Sequence, residues 1–332
     1  MMSFFSFAGL SWHDRWNLFS HVEQIWEQAE TLPEDLENRT ADDWLTAIGQ
    51  SAEARTWIWA PLAQWLTGNA LERLSAATFV HILSTVFLRD AADARLTHHS
   101  GTVDQRVISP LREILVHHNV QIVSLTEPPT LRLAQDRVQE IRLPNGTPVQ
   151  ARWYVIALSY QDLLRLLPER FLTRFAYCSH VTELQSLSEI VVQLTYCETN
   201  HAPRLLLLAD RLFHQLTRAS IGSDHVIYRL AATTSSLMEL PDEQIVGAAQ
   251  AEVRALFPDL SQHDPTSRQL FRRNHAALVL GPGAARLRPL QQSPLQNLLV
   301  AGAWTDTGWP ATTESALVSA RRCADIVTGH TT

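Results

Sequence analysis

The sequence predicts an α/β fold, α+β by a strict count, built as two domains that the chain crosses more than once. Three observations carry this. From Ser11 to about Ala94 apolar residues recur at helical spacing. From Val120 to Ala231 short apolar or alternating runs follow one another with brief turns, the pattern of a meander. The chain then closes on a buried strand, a loop and a helix. Helices, mixed strands, meander and strand-loop-helix in that order are not simple βαβ alternation, so interlocked domains are expected. A chain of 332 residues that is 45% hydrophobic can bury a core of that size.

The elements follow in order. Trp12, Trp16, Phe19 and Val22 fall on one helical face, and Thr40 to Leu45 reads as a capped helix start. Leu71 to Phe87 reads as a helix with Leu74, Thr78, Ile82 and Val86 along one side. Arg112 to His118 ends another helix, and Val120 to Leu125 reads as a short strand after Asn119. Leu131–Leu133 and Val138–Leu143 read as strands, with Pro144-Asn145-Gly146 as a turn. Gln150 to Leu158 ends in the apolar run Tyr154-Val155-Ile156-Ala157-Leu158, a buried strand. Ile190–Tyr196, Arg204–Leu208 and His225–Ala231 suggest an antiparallel sheet, and Asp242–Phe257 an amphipathic helix. Asn297–Ala301 is a buried strand leading through a loop into a helix over Thr313–Val327.

Composition excludes several functions. A net charge of -7 without a basic block argues against nucleic acid. The sequence has no lysine, which removes Schiff-base chemistry and Walker-type phosphate binding. Cys178, Cys197 and Cys323 are far apart, so neither a zinc site nor a disulfide framework is indicated and a cytoplasmic setting is expected. The apolar Met1–Leu10 lacks the basic flank of a signal peptide, and no run is long enough to span a bilayer. Ten tryptophans suit large apolar ligands, though they also fill ordinary cores. The adjacent pairs His98-His99 and His117-His118 are expected to diverge rather than chelate, and no metal site is expected. His180, His214, His225 and His275 read as structural histidines, and no catalytic residue can be assigned by spacing.

The chemistry-bearing stretch is Asn297 to Ala316. A strand ends at Gly302, whose missing side chain lets a ligand approach the backbone. The helix that follows has its first free amides near Thr312 and Thr313, facing an electron-rich group if one is present. The residues alone fit a plain strand-loop-helix equally well. Asp306 reads as a loop cap.

This stretch resembles the C-terminal flavin-binding motif of the amine-oxidase and phytoene-desaturase superfamily, above all that of hydroxysqualene dehydroxylases. The resemblance extends through Thr40–Leu45, Gly49-Gln50-Ser51, Trp59-Ala60-Pro61-Leu62, Asn69 and Ser75-Ala76, through Asn119–Thr126 and Gln150–Leu158, and through Arg273–Pro289. It implies an FAD-binding, Rossmann-like domain over 101–158 and 290–332, interleaved with a substrate domain over 1–100 and 159–289. It further implies FAD contacts from Gly302 and Ala303 at the ribityl chain, from Trp304 and Trp309 as walls, and from Pro310, Ala311, Thr312 and Thr313 along the ring. Thr126 would lie at the adenine. The implied reaction is reductive dehydroxylation of hydroxysqualene to squalene, with an isoprenoid desaturase, or a non-catalytic partner that binds an apolar isoprenoid, as alternatives. Such a substrate partitions into lipid, so peripheral contact with the inner face of the membrane is expected.

Two departures stand out. The family opens with GxGxxG, whereas the only G-x-G here is Gly281-Pro282-Gly283, a loop without a preceding strand. The chain therefore reads as starting about 90 to 100 residues late, the size of a βαβ unit plus its extension. The FAD domain is expected to be incomplete: either a separate N-terminal FAD-binding polypeptide supplies the first half as a partner, or the start is wrongly placed, or catalysis has been lost. Ala303 stands where the family usually has an acidic residue, and Glu314-Ser315 replaces Glu-Gly.

Overall fold

Asp14 explains how the helical N-terminal third is tied together. The structure, a computed structural model, describes residues 11–27, 34–88, 102–197, 203–221, 225–233 and 235–329; Met1–Leu10 and His98-His99 lie outside them. On α1 (Trp12–Glu27) Asp14 and Leu18 turn inward, while Trp12, Trp16 and Phe19 lie outward. The buried Asp14 carboxylate accepts from Ser51 N–H at 2.7 Å and from the hydroxyls of Ser51 and Ser11. Gln50 donates to the Asp14 carbonyl and accepts from Trp59 Nε1. The side chains of Gln50 and Ser51 and the Ser51 amide thus join one network with Asp14 and Trp59.

α2 (Ala41–Ala47) begins with a capping box between Thr40 and Asp43. α3 (Ala60–Thr67) stops at Gly68, φ 73°, a conformation glycine takes without a Cβ penalty. The helix predicted over Leu71–Phe87 begins later, as α4 (Ala76–Leu83) running into a π-type turn at Ser84–Leu88. The Ser75 hydroxyl accepts from Thr78 N–H, and a serine N-cap outcompetes a start at Leu71. Leu74, fully buried, packs from the preceding turn.

α5 (Ser109–His117) ends in the rings of His117 and His118, which meet edge to face at 5.5 Å instead of diverging. Val120–Leu125 is not the predicted strand. It has no ladder partner among the described residues, and every residue from 102 to 128 is exposed. An apolar run supplies the side chains of a strand but not the second backbone that makes one.

Three sheets follow. β1 (Thr130–Ala134), β2 (Arg137–Arg142) and β3 (Pro148–Val149) are antiparallel, with Gly146 at φ 84° in the β2–β3 turn. β4 (Tyr154–Ile156) pairs in parallel with β10 (Leu298–Val300). Asn297 joins these two sheets by bonding both the N–H and the carbonyl of Val138. The third sheet, in the order β6–β7–β8–β5–β9, comprises β5 (Ser186–Cys197), β6 (Leu205–Leu207), β7 (Gln215–Ile221), β8 (His225–Ala232) and β9 (Ser267–Leu278). One face of it, through Ile190, Val192, Leu194, Tyr228 and Leu230, packs on Ile245, Ala249 and Val253 of α6 (Asp242–Leu256). Strand alternation turns Glu189 and Val191 to the other face. α7 (Thr313–Thr328) closes the chain against β10. Among the described residues no helix is long and apolar enough to cross a membrane.

Candidate functional site

The loop between β10 and α7 is built from backbone carbonyls held by three buried or half-buried side chains. Arg288 donates from Nη1 to the Trp309 carbonyl at 2.7 Å and from Nη2 to the carbonyls of Thr305 (2.6 Å) and Ala303 (3.0 Å) and to Ser315 Oγ (3.2 Å). Gln291 donates to Thr305 Oγ1 and to the Asp306 carbonyl, and Arg322 to the carbonyls of Asp306 and Thr307. Burial lowers the Arg288 pKa below its ordinary value, and the nearby Asp306 carboxylate opposes that shift. The Asp306 carboxylate accepts from Gly308 N–H, which is the loop-capping role. Ser315, fully buried, shares a hydrogen bond with Thr307 Oγ1 at 2.7 Å and donates to the Ala303 carbonyl.

This loop leads to the N-terminus of α7. Thr312 is the N-cap but makes no side-chain cap bond, and the amides of the first turn have no intrahelical acceptor. They open on a cavity of about 520 Å³. Ala303, Ala311, Thr312, Thr313 and Ala316 form one wall, Gln64 to Gly68 at the end of α3 a second, and Glu189, His214, Gln215, Thr233, Ala276 and Ala277 from the third sheet the remainder.

Two titratable groups face this space, His214 buried and Glu189 half-buried. His214 Nδ1 accepts from Thr233 N–H at 3.3 Å, and burial depresses its pKa to about 4, so the ring is neutral at pH 7. Burial pushes the Glu189 carboxyl above its usual range, against the pull of Arg273 at 3.4 Å.

The structure places the residues implicated by the sequence unequally. Ala303, Ala311, Thr312 and Thr313 share the cavity. Pro310 is buried and its carbonyl accepts from Thr312 N–H; Trp309 sits edge to face with His81 at 6.0 Å. Trp304 belongs to the hydrophobic core, with Nε1 donating to the Leu158 carbonyl at 2.9 Å. The space beside Gly302 is taken by that indole: a Cβ there would meet Trp304 Nε1 at 2.6 Å. The missing side chain at 302 thus makes room for the chain's own tryptophan. Thr126 lies in the exposed stretch after α5 and does not line the cavity. Sequence reasoning missed the roles of Arg288, Gln291, Ser315 and Arg322, and it read His214 as merely structural.

These groups suit the pyrimidine end of a flavin ring, which gathers negative charge on reduction and is stabilised by a helix N-terminus. A glycine-rich pyrophosphate cradle has no counterpart among the described residues. The family profile for flavin-containing amine oxidoreductases matches residues 4–328. The chain belongs to that family. Within the flavin-containing amine oxidoreductases it is similar to a zeta-carotene desaturase of Zea mays, 22% identical over 331 residues, covering 89% of this chain and 57% of the relative. A hydroxysqualene dehydroxylase of Rhodopseudomonas palustris is 34% identical over 102 residues, covering 30% of this chain and 24% of the relative. Among solved structures, putrescine oxidase bound to putrescine aligns with a TM-score of 0.74 at 15% identity, covering 96% of this chain and 76% of that one. The reduced form of UDP-galactopyranose mutase aligns with a TM-score of 0.65 at 13% identity, covering 97% and 73%. The fold is that of the flavin-dependent amine oxidases, and family membership implies a flavin cofactor. The chain spans 57% and 66% of the lengths of the maize and Synechocystis zeta-carotene desaturases it resembles.

Proposed function

We propose that this chain is the substrate-binding and ring-binding part of an FAD-dependent oxidoreductase that converts hydroxysqualene reductively to squalene. The observation that carries the reading is the cavity in which the uncapped start of α7 meets the third sheet. FAD, when bound and reduced, would supply hydride chemistry at the carbon that bears the hydroxyl. The protein's own contribution is to exclude water, present the α7 amides to the pyrimidine edge, and hold the isoprenoid between α3 and the third sheet. A desaturase acting on a carotenoid precursor is the second reading, favoured by the longer span of the carotene desaturase matches. The product separates them: squalene from hydroxysqualene, or an added double bond in a hydrocarbon.

A further α/β unit completes the cofactor site in this proposal. β4 has a paired neighbour only in β10, and its other edge is open among the described residues. A parallel pair is ordinarily buried inside a larger sheet. The stretch 102–128 exposes Val107, Leu111, Ile114, Val116, Ile122 and Val123. A GxGxxG-bearing βαβ unit, on this or another polypeptide, fits both features by adding strands to β4 and covering the apolar segment. The chain purified by itself is expected to bind FAD weakly or not at all, and co-expression with such a unit to give a yellow complex. Stoichiometric FAD on the chain alone would count against this.

Membrane contact is part of the same proposal. The outward face of α1 sets Trp12, Trp16 and Phe19 at helical spacing on the surface, and Trp57 is 61% exposed. The proposed setting is cytoplasmic, with this face against the inner leaflet. Flotation with anionic vesicles is expected and should fall at least several-fold in Trp12→Ser/Trp16→Ser. Equal flotation of both proteins would remove the assignment.

A further inference from the structure

The polar end of the cavity has no role in the reading above. We propose that it is a hydroxyl-recognition site, in which His214 donates a hydrogen bond to the oxygen of an apolar alcohol and Glu189 gives that oxygen a proton. This inference rests on the proposed function and names the feature of the substrate that the site reads.

His214 is 7% exposed, yet it lines the cavity. Its Nδ1 accepts from Thr233 N–H, so the ring proton of the neutral imidazole sits on Nε2. No bond to Nε2 is formed among the described residues, and its place on the cavity wall leaves it open to a ligand oxygen. Glu189 reaches the same end from the neighbouring strands. Ile190 pairs with Ala232, which sets Glu189 beside Thr233, just past the end of β8.

Between β5 and β9 the register slips at this point. Leu187 pairs with Ala277, but Glu189 pairs with Arg273, and His275 in the extra loop of β9 takes φ 59°. Bulges of this kind re-aim side chains at sheet ends. The bland reading is a surface ion pair between Glu189 and Arg273. Exposure argues otherwise: the Glu189 side chain is 20% exposed against 63% for Arg273, so the carboxyl is held in and its partner stays at the rim.

Apolar side chains such as Trp65, Leu66, Ala276 and Ala311 line the cavity beside polar ones such as Gln215, Thr233, Thr312 and Thr313, and His214 and Glu189 are its titratable lining residues. On the proposed function the ligand is an apolar molecule with one hydroxyl. In the reaction the Glu189 carboxyl takes up a proton from solvent and passes it to that hydroxyl. The C–O bond breaks with both electrons going to oxygen, and water leaves. The cationic carbon takes a hydride from a two-electron donor of the reduced-flavin class. Glu189 is left as a carboxylate, which Arg273 stabilises at 3.4 Å.

The test is equilibrium binding of hydroxysqualene and of squalene to the full chain, both delivered from cyclodextrin and read by quenching of tryptophan fluorescence. The chain is expected to bind the alcohol about tenfold more tightly, the worth of one hydrogen bond in a dry site. His214→Phe should erase the preference while leaving squalene affinity unchanged, and His214→Gln, whose amide can donate, should restore part of it. Glu189→Gln should keep the preference but, in the flavin-loaded complex, stop squalene formation. Equal affinity of the unaltered chain for both ligands, an equal loss for both in His214→Phe, or turnover by Glu189→Gln would overturn the assignment. Failure to bind either ligand would overturn it together with the proposed function, whereas equal binding overturns this inference alone.

Discussion

Exchanging Arg288 for methionine is expected to destabilise the chain by about 3 kcal/mol and to abolish flavin binding in the completed enzyme. Methionine keeps the length of the apolar stem but donates nothing. The carbonyls of Thr305 and Trp309 then lose their contacts at 2.6 and 2.7 Å, while that of Ala303 keeps Ser315 Oγ at 3.2 Å. Each buried acceptor left unsatisfied costs about 1–3 kcal/mol. The sum is reduced because removing the guanidinium also removes the penalty of burying it, the same burial that lowers its pKa. The control is Arg165→Met, which breaks an exposed pair with Asp162 and should stay within about 0.5 kcal/mol. Urea unfolding of both variants checks this. An unchanged midpoint for Arg288→Met would mean that the loop holds without its clamp.

That clamp shows where the sequence was legible and where it was not. The strand-loop-helix from Asn297 to Val327 could be read because its apolar run, glycine and amphipathic helix are all local signals, and the structure has β10 and α7 there. β9 was invisible. Its residues, Ser267 to Leu278, include three arginines and a histidine, and most are exposed on both faces, so no alternation reveals an edge strand. Val120–Leu125 failed in the opposite way, with a strand's side chains and no partner. The site divides similarly. Thr312 and Thr313 could be singled out because they open a helix, and Ala311 only through the family resemblance. Arg288, Ser315 and His214 owe their roles to carbonyls and amides brought close by the fold, and no spacing along the chain encodes those contacts. Ser315 looked like a loss relative to Glu-Gly. In the structure it is a buried hydroxyl that ties α7 to the loop.

Gly302→Val is expected to destabilise the protein by about 3 kcal/mol or more, well beyond an ordinary strand-end substitution. A Cβ at 302 meets Trp304 Nε1 at 2.6 Å and Cδ1 at 2.8 Å. Neither side can yield cheaply. The indole is fixed by its bond to the Leu158 carbonyl at 2.9 Å and lies near Tyr160, with ring centroids 6.4 Å apart. The Gly302 backbone is held on the other side, where its N–H donates to Ser319 Oγ at 2.8 Å. The valine therefore expels a buried tryptophan or pulls the end of β10 off α7, and near-ultraviolet circular dichroism should register the loss of Trp304 packing. The origin of the effect is separable by a double-mutant cycle with Trp304→Leu. If the clash is with the indole, the second change should recover stability, with a coupling of about 1 kcal/mol or more. Purely additive losses would place the strain elsewhere. Flavin binding in the double variant then decides a separate point. Restored fold with restored binding means that Gly302 serves the tryptophan alone, while restored fold without binding means that the cofactor also approaches the backbone at this glycine, as the family resemblance implies.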